Sequence, residues 1–220
     1  MHGAPANSID VVLCTPHGSQ LAVLLVRDTV GHARERWSLP WETVAESDTL
    51  DHSAEQIVLR AAGVRASWLV QAGAFGDGTR HPGDAVLSVA YLGVMPLQAG
   101  QPATGRWFPA RDLPRVAPRH QSILDRALAQ VRECVGRAPI AFRLLAAAFT
   151  LSELQAMYEM LLGRRLHKAS FRRALKAAHL VEPTDEWRSE GRGRPAQLYR
   201  FSPGPRAGVR GGVRFELHGD

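Results

Sequence analysis

The first 135 residues contain short apolar runs typical of β-strands, with one helical pattern between them and another after them. SIDVVLCT and QLAVLLVRD are apolar and rich in β-branched residues, and the turn residues PHGS between them predict a β-hairpin. WLVQAGAF and AVLSVAYLGVM predict two more strands on either side of a polar, Gly-rich loop, GDGTRHPGD. The pattern therefore favours a sheet built from two pairs of strands.

Between these two pairs lies LPWETVAESDTLDHSAEQIVLRAAGV, residues 39–64, which predicts a loop followed by an amphipathic helix. Asp48 or Ser47 is the expected N-cap, and Gly63 is the expected end of the helix. The apolar positions that recur at helical spacing are Leu50, Ala54, Ile57, Val58 and Ala61. HQSILDRALAQVRECV predicts a closing helix, so residues 1–136 are expected to form one α+β sandwich domain.

From Pro139 the pattern changes to three helices and a hairpin. IAFRLLAAAF predicts a short helix. TLSELQAMYEMLLG begins with Thr150 and Glu153 in the spacing of a capping box and ends at Gly163. HKASFRRALKAAHL predicts the third helix, and VEPTDEWRSEGRGRPAQLYRFS predicts two strands around a basic loop. We expect residues 137–203 to form a winged helix-turn-helix domain, followed by a C-terminal tail, residues 204–220.

The charge of the chain is unevenly distributed. Residues 1–136 carry 12 Lys and Arg against 13 Asp and Glu, a net charge of −1, whereas residues 137–220 carry 15 against 8, a net charge of +7. The contrast indicates a polyanion-binding segment joined to a nearly neutral domain. The two cysteines, Cys14 and Cys134, are too far apart in sequence to indicate a structural zinc site or a disulfide framework.

The third helix of the basic segment combines an apolar face with a cationic one. Phe171 and Leu175 lie on the face expected to pack, and cations occupy a neighbouring stripe. A helix of this kind after a capped helix and a short turn is typical of a DNA recognition helix. The arginines of the following loop would form a wing, and its R-G-R-P sequence resembles an AT-hook. The predicted DNA-binding residues are Lys168, Ser170, Arg172, Arg173, Lys176, Arg188, Arg192 and Arg194.

Residues 39–64 resemble the Nudix box, G-x5-E-x7-R-E-U-x-E-E-x-G-U, in which helical glutamates hold divalent cations against a diphosphate. In this alignment Glu42 replaces the first Gly and Asp48 the first Glu. Gln56-Ile57 replaces Arg-Glu, and Arg60-Ala61 replaces Glu-Glu. A guanidinium at position 60 would repel a metal ion, so we expect neither a catalytic residue nor a catalytic metal in this stretch.

The two halves together resemble the Nudix-related transcriptional regulators, the NrtR-like proteins of bacteria. The resemblance covers roughly residues 8–203 and is strongest in FTLSELQAMYEMLLGRRLHKASFRRALKAAHL and GRGRPAQLYRF. It implies an N-terminal Nudix-like α/β/α sandwich and a C-terminal winged helix. It also implies a homodimeric repressor of a palindromic operator in double-stranded DNA. In that family the effector is ADP-ribose, in members that control NAD metabolism, or a sugar-derived ligand.

The effector-binding residues are expected on strand ends and loops near the Nudix-like cleft, where arginines with aromatic partners suit a phosphate and a base or sugar. They are Arg27, Arg36, Trp37, Phe75 and Arg80. The N-terminus lacks the pattern of a signal peptide, and no apolar run reaches 18 residues, so a cytoplasmic protein without a membrane span is expected.

Two other functions remain open from the sequence. One is a diverged Nudix pyrophosphatase that recruits metal through Glu42, Glu46 or Asp48. The other is a protein-interaction module in which the basic segment binds an acidic partner. The basic stripe of the third helix is also compatible with a solvated surface that binds nothing.

Overall fold

The computed structural model describes residues 6–28, 37–44, 48–76, 78–95, 100–136, 139–189 and 195–202. The chain divides into two compact units, Met1–Gln130 and Val131–Asp220. The domain boundary predicted after residue 136 lies just beyond this division, at the C-terminal end of helix α2 (Pro118–Val135). None of the helices within the described residues is long and apolar enough to cross a membrane.

A seven-stranded mixed sheet forms the centre of the first unit. Its strands are β1 (Asn7–His17), β2 (Gln20–Arg27), β3 (Trp37–Ser38), β4 (Trp41–Thr43), β5 (Trp68–Phe75), β6 (Leu87–Val94) and β7 (Arg106–Pro109). The order is β3-β2-β1-β6-β5, with β4 paired to β1 and β7 to β2. The predicted hairpin is confirmed as the antiparallel pair β1–β2, and the second pair of strands as β5–β6. The short strands β3, β4 and β7 are not evident from the sequence pattern.

One face of the sheet packs against helix α1 (Leu50–Ala62), because the odd-numbered residues of β1, such as Ile9 and Val11, share a buried core with Ile57 and Val58. Even-numbered residues of β1 point to the opposite face, where the N-terminal end of α2 lies, as the bond between Asp10 and His120 shows. Helices therefore cover both faces of the sheet, and the predicted α/β/α sandwich is confirmed.

The ends of α1 differ in part from the prediction. Gly63 ends the helix as expected, with a φ of 77° that only glycine adopts easily. The N-cap, however, is Thr49, whose hydroxyl accepts a hydrogen bond from the backbone N–H of His52, and not Asp48. Leu50, which was expected in the core, is 37% exposed.

The second unit is a winged helix. Its elements are α3 (Ile140–Arg143), β8 (Ala148–Phe149), α4 (Leu151–Leu162), α5 (Lys168–Ala178), β9 (Val181–Arg188) and β10 (Ala196–Phe201), with strand order β8-β10-β9. Thr150 and Glu153 form the predicted capping box, and Gly163 ends α4. The prediction that residues 140–149 form one helix is wrong, because the helix stops at Arg143 and Phe149 pairs with Tyr199 of β10. Pairing with a distant strand here overrides the local helical preference of the alanines.

Candidate functional site

Helix α5 separates an apolar face from a row of exposed side chains. Phe171 and Leu175 are buried, and Phe171 packs edge-on against Tyr158 of α4, with ring centroids 5.5 Å apart. The predicted DNA-binding residues of this helix are all exposed: Lys168, Ser170, Arg172, Arg173 and Lys176. The amphipathic packing thus presents the cations together on the outer side of the helix, where they are free to approach a polyanion.

The turn between α4 and α5 is held by a carboxylate that the sequence analysis missed. Glu159 Oε1 accepts hydrogen bonds from the backbone N–H of Leu166, at 2.9 Å, and from Nε2 of Gln155, at 3.0 Å. Gln155 Nε2 also donates to the carbonyl of Leu166. The hydrogen bond from the Leu166 amide lowers the pKa of Glu159, with a further contribution from Gln155. Both side chains lie on α4, so they fix where α5 begins relative to it.

Arg188 of β9 is engaged within the protein, although it was predicted to contact DNA. Its guanidinium lies 2.7 Å from Glu153 Oε1 and 3.3 Å from the carbonyl of Ala148, and its side chain is 37% exposed. Glu153 is the same residue that closes the capping box of α4. The arginine therefore ties the base of the wing to the start of α4, and a DNA contact by Arg188 stays a prediction. Arg192 and Arg194 lie outside the described residues.

In the first unit, two of the residues that depart from the Nudix box form an ion pair with each other. Arg60 of α1 binds Glu42 of β4 through Nη2 and Oε1. The side chains are 54% and 48% exposed, so the pair lies at the surface beside the helix. Arg60 thereby places a positive charge where the Nudix box carries a metal-binding glutamate.

The remaining carboxylates around α1 also have partners within the protein. Asp51 accepts a 2.5 Å hydrogen bond from the hydroxyl of Tyr91, Glu55 pairs with Arg65 at 3.3 Å, and Asp48 accepts from the backbone N–H of Thr49. Burial raises the pKa of Tyr91, and the bond to Asp51 raises it further. Within the part of the chain that the structure describes, the one group of three potential metal ligands lies elsewhere. Glu46 is outside the described residues.

The predicted effector-binding residues fall into two separate groups. Arg27 and Trp37 are paired across strands β2 and β3, and the guanidinium lies 4.3 Å from the centroid of the indole. Phe108, which the sequence analysis missed, completes this cluster edge-on to Trp37, at 4.7 Å. Phe75 and Arg80 lie at the end of β5 and in the loop after it, at the opposite end of the strand order. The structure brings Arg27 and Trp37 together but does not join them to Phe75, and Arg36 lies outside the described residues.

Buried Arg119 at the start of α2 anchors the loop that carries Arg80. Its side chain donates hydrogen bonds to the carbonyls of Phe75, Ala85 and Val86 and to the hydroxyl of Thr79, over 3.1–3.3 Å. Arg119 is 2% exposed. Burial of a guanidinium is costly unless its N–H groups are hydrogen-bonded. Here three backbone carbonyls accept hydrogen bonds from it. The described residues between β5 and β6 are thus fixed to the first turn of α2.

Next to Arg119 lies a buried polar cluster of Asp10, His81 and His120, also missed by the sequence analysis. Asp10 Oδ1 is 3.0 Å from His81 Nε2 and 2.8 Å from His120 Nε2, and the Ser8 hydroxyl donates to Asp10 Oδ2 at 2.7 Å. All three members are at most 1% exposed. Burial raises the pKa of Asp10, but the hydrogen bonds from the two imidazoles outweigh this effect. The pKa of the carboxyl group is therefore well below its usual value, and the group is ionised. Burial lowers the pKa of His120.

The three ligand atoms of this cluster lie within 4.8 Å of one another, which is close enough for a metal ion. The tautomers of the two histidines disfavour metal binding at this cluster. The backbone N–H of Gly83 donates to His81 Nδ1 at 3.0 Å, and that of Leu39 donates to His120 Nδ1 at 3.2 Å. Each neutral ring must therefore carry its proton on Nε2, the atom that a metal would need as a lone-pair donor. The arrangement instead suits hydrogen bonding, in which the Asp10 carboxylate accepts one N–H bond from each imidazole.

One sequence feature could have indicated this cluster. Asp10 lies in the middle of the apolar run SIDVVLCT, and a charged residue inside an apolar strand is usually buried with a partner. The partners, however, are 71 and 110 residues away along the chain. No local pattern could identify them.

Known proteins resemble both units of the chain. Residues 141–201 match the family model of the NrtR DNA-binding winged helix domain. A protein of Acinetobacter baylyi named "ADPR responsive transcriptional repressor NtrR" is 27% identical over 208 residues, which cover 90% of this chain and 83% of that protein.

Solved structures extend the comparison to the whole fold. The crystal structure of Shewanella oneidensis NrtR complexed with a 27mer DNA is 30% identical with a TM-score of 0.77, covering 89% of this chain and 93% of that one. A MutT/nudix family protein of Enterococcus faecalis is 20% identical with a TM-score of 0.70, over 92% and 88% of the two chains, and shows the fold alone. Because the likeness to NrtR spans nearly the full length of both chains, the chain belongs to the NrtR family of Nudix-related transcriptional regulators.

Proposed function

We propose that the chain is a DNA-binding transcriptional repressor whose Nudix-like unit binds a small effector without hydrolysing it. The observation that carries this proposal is the exposed cationic row of α5, held in a winged helix by buried Phe171 and Leu175. The Shewanella oneidensis relative, whose structure is a DNA complex, supports the choice of DNA as the polyanion. The Acinetobacter baylyi relative, named as ADPR-responsive, supports ADP-ribose or a related phosphorylated metabolite as the effector.

The DNA-binding mode follows from the fold. A recognition helix enters the major groove, where Arg and Lys contact guanine edges and phosphates. We infer that two copies of the chain bind a palindromic operator, with half-sites separated by about one helical turn or a multiple of it. An effector that binds one dimer arrangement more tightly than the other would then shift the equilibrium towards or away from DNA binding.

The proposal also includes the absence of catalysis. A Nudix reaction needs carboxylates that hold divalent cations near the diphosphate. In the described part of α1, Asp51 and Glu55 are engaged by Tyr91 and Arg65, and position 60 is an arginine. A turnover assay with ADP-ribose and Mg²⁺ tests this part, and hydrolysis that disappears on changing Glu46→Gln would contradict it.

The central experiment selects duplexes from random DNA and measures their affinity for the full chain at several salt concentrations. If about six phosphates are neutralised, log affinity should fall with log salt at a slope of about −5. The double variant Arg172→Ala, Lys176→Ala should weaken DNA binding. The loss of one arginine that contacts a guanine edge costs about 1–3 kcal/mol of binding free energy. Arg65→Ala, an exposed cation on the other unit, is the control. Absence of any preferred sequence would favour the protein-interaction alternative.

A further inference from the structure

Trp187 is exposed on the wing, the hairpin of β9 and β10 with its connecting loop (residues 181–201). It is 56% exposed, and among the described residues of the second unit it is the one large apolar residue with more than half of its surface exposed. Tryptophan is highly buried on average in folded proteins. Because this side chain buries little apolar surface within the unit, it contributes little to the stability of the folded chain.

The strand pairing of the wing directs Trp187 away from α4. Trp187 pairs with Gln197, and the next residue, Arg188, pairs with Ala196. Successive side chains of a strand point to opposite faces of the sheet. Arg188 points towards the start of α4, where it bonds to Glu153. The indole of Trp187 therefore lies on the opposite face of the wing.

The backbone around Trp187 is held by hydrogen bonds between the two strands. Gln197 Nε2 donates to the carbonyl of Thr184 at 3.3 Å, and the Thr184 hydroxyl donates to the carbonyl of Leu198 at 3.1 Å. A tryptophan side chain has only two rotatable bonds, so it loses little conformational entropy when a partner contacts it. Trp187 is thus preorganised for binding.

The wing and α5 differ in charge. Residues 181–201 carry four Arg and four Asp or Glu, so the wing is neutral overall. Helix α5 carries four Lys or Arg and no Asp or Glu. Net electrostatic attraction to DNA therefore comes from α5 and not from the wing. A neutral wing can add affinity through apolar contact, for which the flat face of an indole offers a large area.

We propose that Trp187 is an apolar DNA contact of the wing, which packs against a deoxyribose of the duplex while the cations of α5 contact the major groove. The inference rests on the DNA-binding function proposed above and adds a contact that the sequence analysis missed. Sugar contacts carry no sequence information, so Trp187 adds affinity without selecting a sequence. The contact releases no counterions from the phosphates, so it does not depend on salt.

Fluorescence anisotropy of a labelled duplex selected from random DNA measures the affinity of the full chain at several salt concentrations. Trp187→Ala should weaken binding by about tenfold, a loss typical of one aromatic contact with nucleic acid. The slope of log affinity against log salt should not change. Trp187→Phe keeps an apolar ring and should retain most of the affinity. Val86→Ala, at a position of the first unit that is 58% exposed, is the matched control and should have no effect.

Intrinsic fluorescence gives a second measurement, because Trp187 is the only tryptophan of residues 131–220. Binding of the unlabelled duplex should change the emission of the unaltered chain. The change should be absent in Trp187→Phe, although this variant still binds DNA. Thermal denaturation of Trp187→Ala should give the Tm of the unaltered chain, because the side chain that is removed is exposed.

Equal DNA affinities of the Trp187→Ala and unaltered chains would overturn the inference. So would a reduced salt slope in Trp187→Ala, an emission change that persists in Trp187→Phe, or a lower Tm of Trp187→Ala, which would mean that the indole supports the fold of the wing. An affinity loss confined to the preferred DNA sequence would contradict a sugar contact. A chain that binds no duplex would reject the proposed DNA-binding function itself. Loss of binding in the double variant of α5, with full binding by Trp187→Ala, would reject only the Trp187 contact.

Discussion

His120 at the start of α2 donates a 2.8 Å hydrogen bond to the carboxylate of Asp10 in the middle of β1, and both side chains are fully buried. His81 donates to the same oxygen from the loop before β6. The single carboxylate thus joins the central strand, a loop and the closing helix of the Nudix-like unit. Its charge is stabilised by N–H donors that would be left unsatisfied without it.

Asp10→Asn should therefore strongly destabilise the Nudix-like unit. The amide removes the charge that accepts hydrogen bonds from both imidazoles, and a hydrogen bond to a charged group contributes about 1.5–3 kcal/mol. Urea denaturation of the full chain measures the free energy of unfolding. Asp125→Asn, an exposed residue of α2 bonded to Gln121, is the matched control and should change stability by less than about 0.5 kcal/mol. A small effect of Asp10→Asn would contradict the described network.

The stability of the unit should fall as the pH drops below about 6.5. Burial lowers the pKa of His120 from its ordinary value of 6.5, against the opposing effect of Asp10. In the unfolded chain this histidine takes a proton near pH 6.5, while in the folded chain it stays neutral. The unfolded state then binds more protons, so stability is complete above that pH and is lost below it, by up to about 1.4 kcal/mol per pH unit.

Urea denaturation between pH 7 and pH 5 tests this pH dependence in the unaltered chain and in His120→Asn. The variant should have a shallower dependence, although its stability at pH 7 should be lower. His52→Asn, at an exposed position of α1, is the control for the loss of a histidine. Equal slopes in the His120→Asn and unaltered chains would show that His120 does not govern the effect.

Zinc should not stabilise the cluster of Asp10, His81 and His120. Coordination through Nε2 would require both Nδ1 atoms to carry protons that face the backbone N–H groups of Gly83 and Leu39. The chain is first freed of metal with a chelator and then denatured by heat with and without added Zn²⁺. The two samples should have the same Tm. A higher Tm in zinc that His81→Gln abolishes would refute this assignment of tautomers.

Arg188→Gln should weaken DNA binding without changing its salt dependence. The guanidinium is held by Glu153 and the carbonyl of Ala148, so its loss should loosen the base of the wing. A residue that contacts a phosphate directly would instead reduce the slope of log affinity against log salt by about 1. Measuring affinity at several salt concentrations separates these roles. Lys176→Gln, on the exposed face of α5, provides the comparison expected to reduce the slope.

Glu159→Gln should destabilise the helix-turn-helix by about 1–2 kcal/mol, because the carboxylate that accepts from the Leu166 amide is replaced by a weaker acceptor. DNA affinity should fall with it, since the start of α5 loses its anchor. Denaturation and DNA binding are measured on the same samples. Arg165→Ala serves as the control, because Arg165 is 96% exposed and pairs only loosely with Glu159, at 3.5 Å. An equal loss in both variants would implicate the surface ion pair.

Local patterns in the sequence predicted much of the fold. The β1–β2 hairpin, the capping box of Thr150 and Glu153, and the glycine ends of α1 and α4 depend on neighbouring residues, and each is confirmed. The same holds for the apolar and cationic faces of α5. The helix predicted over residues 140–149 is wrong because strand pairing between Phe149 and Tyr199 joins distant segments.

Several features of the candidate sites depend on such long-range pairing. Alignment with the Nudix box placed Arg60 at a metal position, but only the tertiary structure shows that Glu42 of β4 is its partner. Arg188 has the charge and the sequence position expected of a DNA-contacting residue of the wing. In the structure, however, it bonds to Glu153 and to the carbonyl of Ala148. Phe108 joins Arg27 and Trp37 through the pairing of β7 with β2.

By itself, the sequence determined the two kinds of unit, the charge contrast between them, the loss of the metal-binding glutamates and the cationic face of α5, because each is a matter of residue type at short spacing. The tertiary structure decided which charges are neutralised within the protein. Asp10 meets His81 and His120 across 71 and 110 residues. The backbone donor to His120 is Leu39, 81 residues away, whereas the donor to His81 is Gly83 in the same loop. Such contacts form only when the sheet and α2 enclose them, since hydrogen-bond direction and burial are properties of the packed chain.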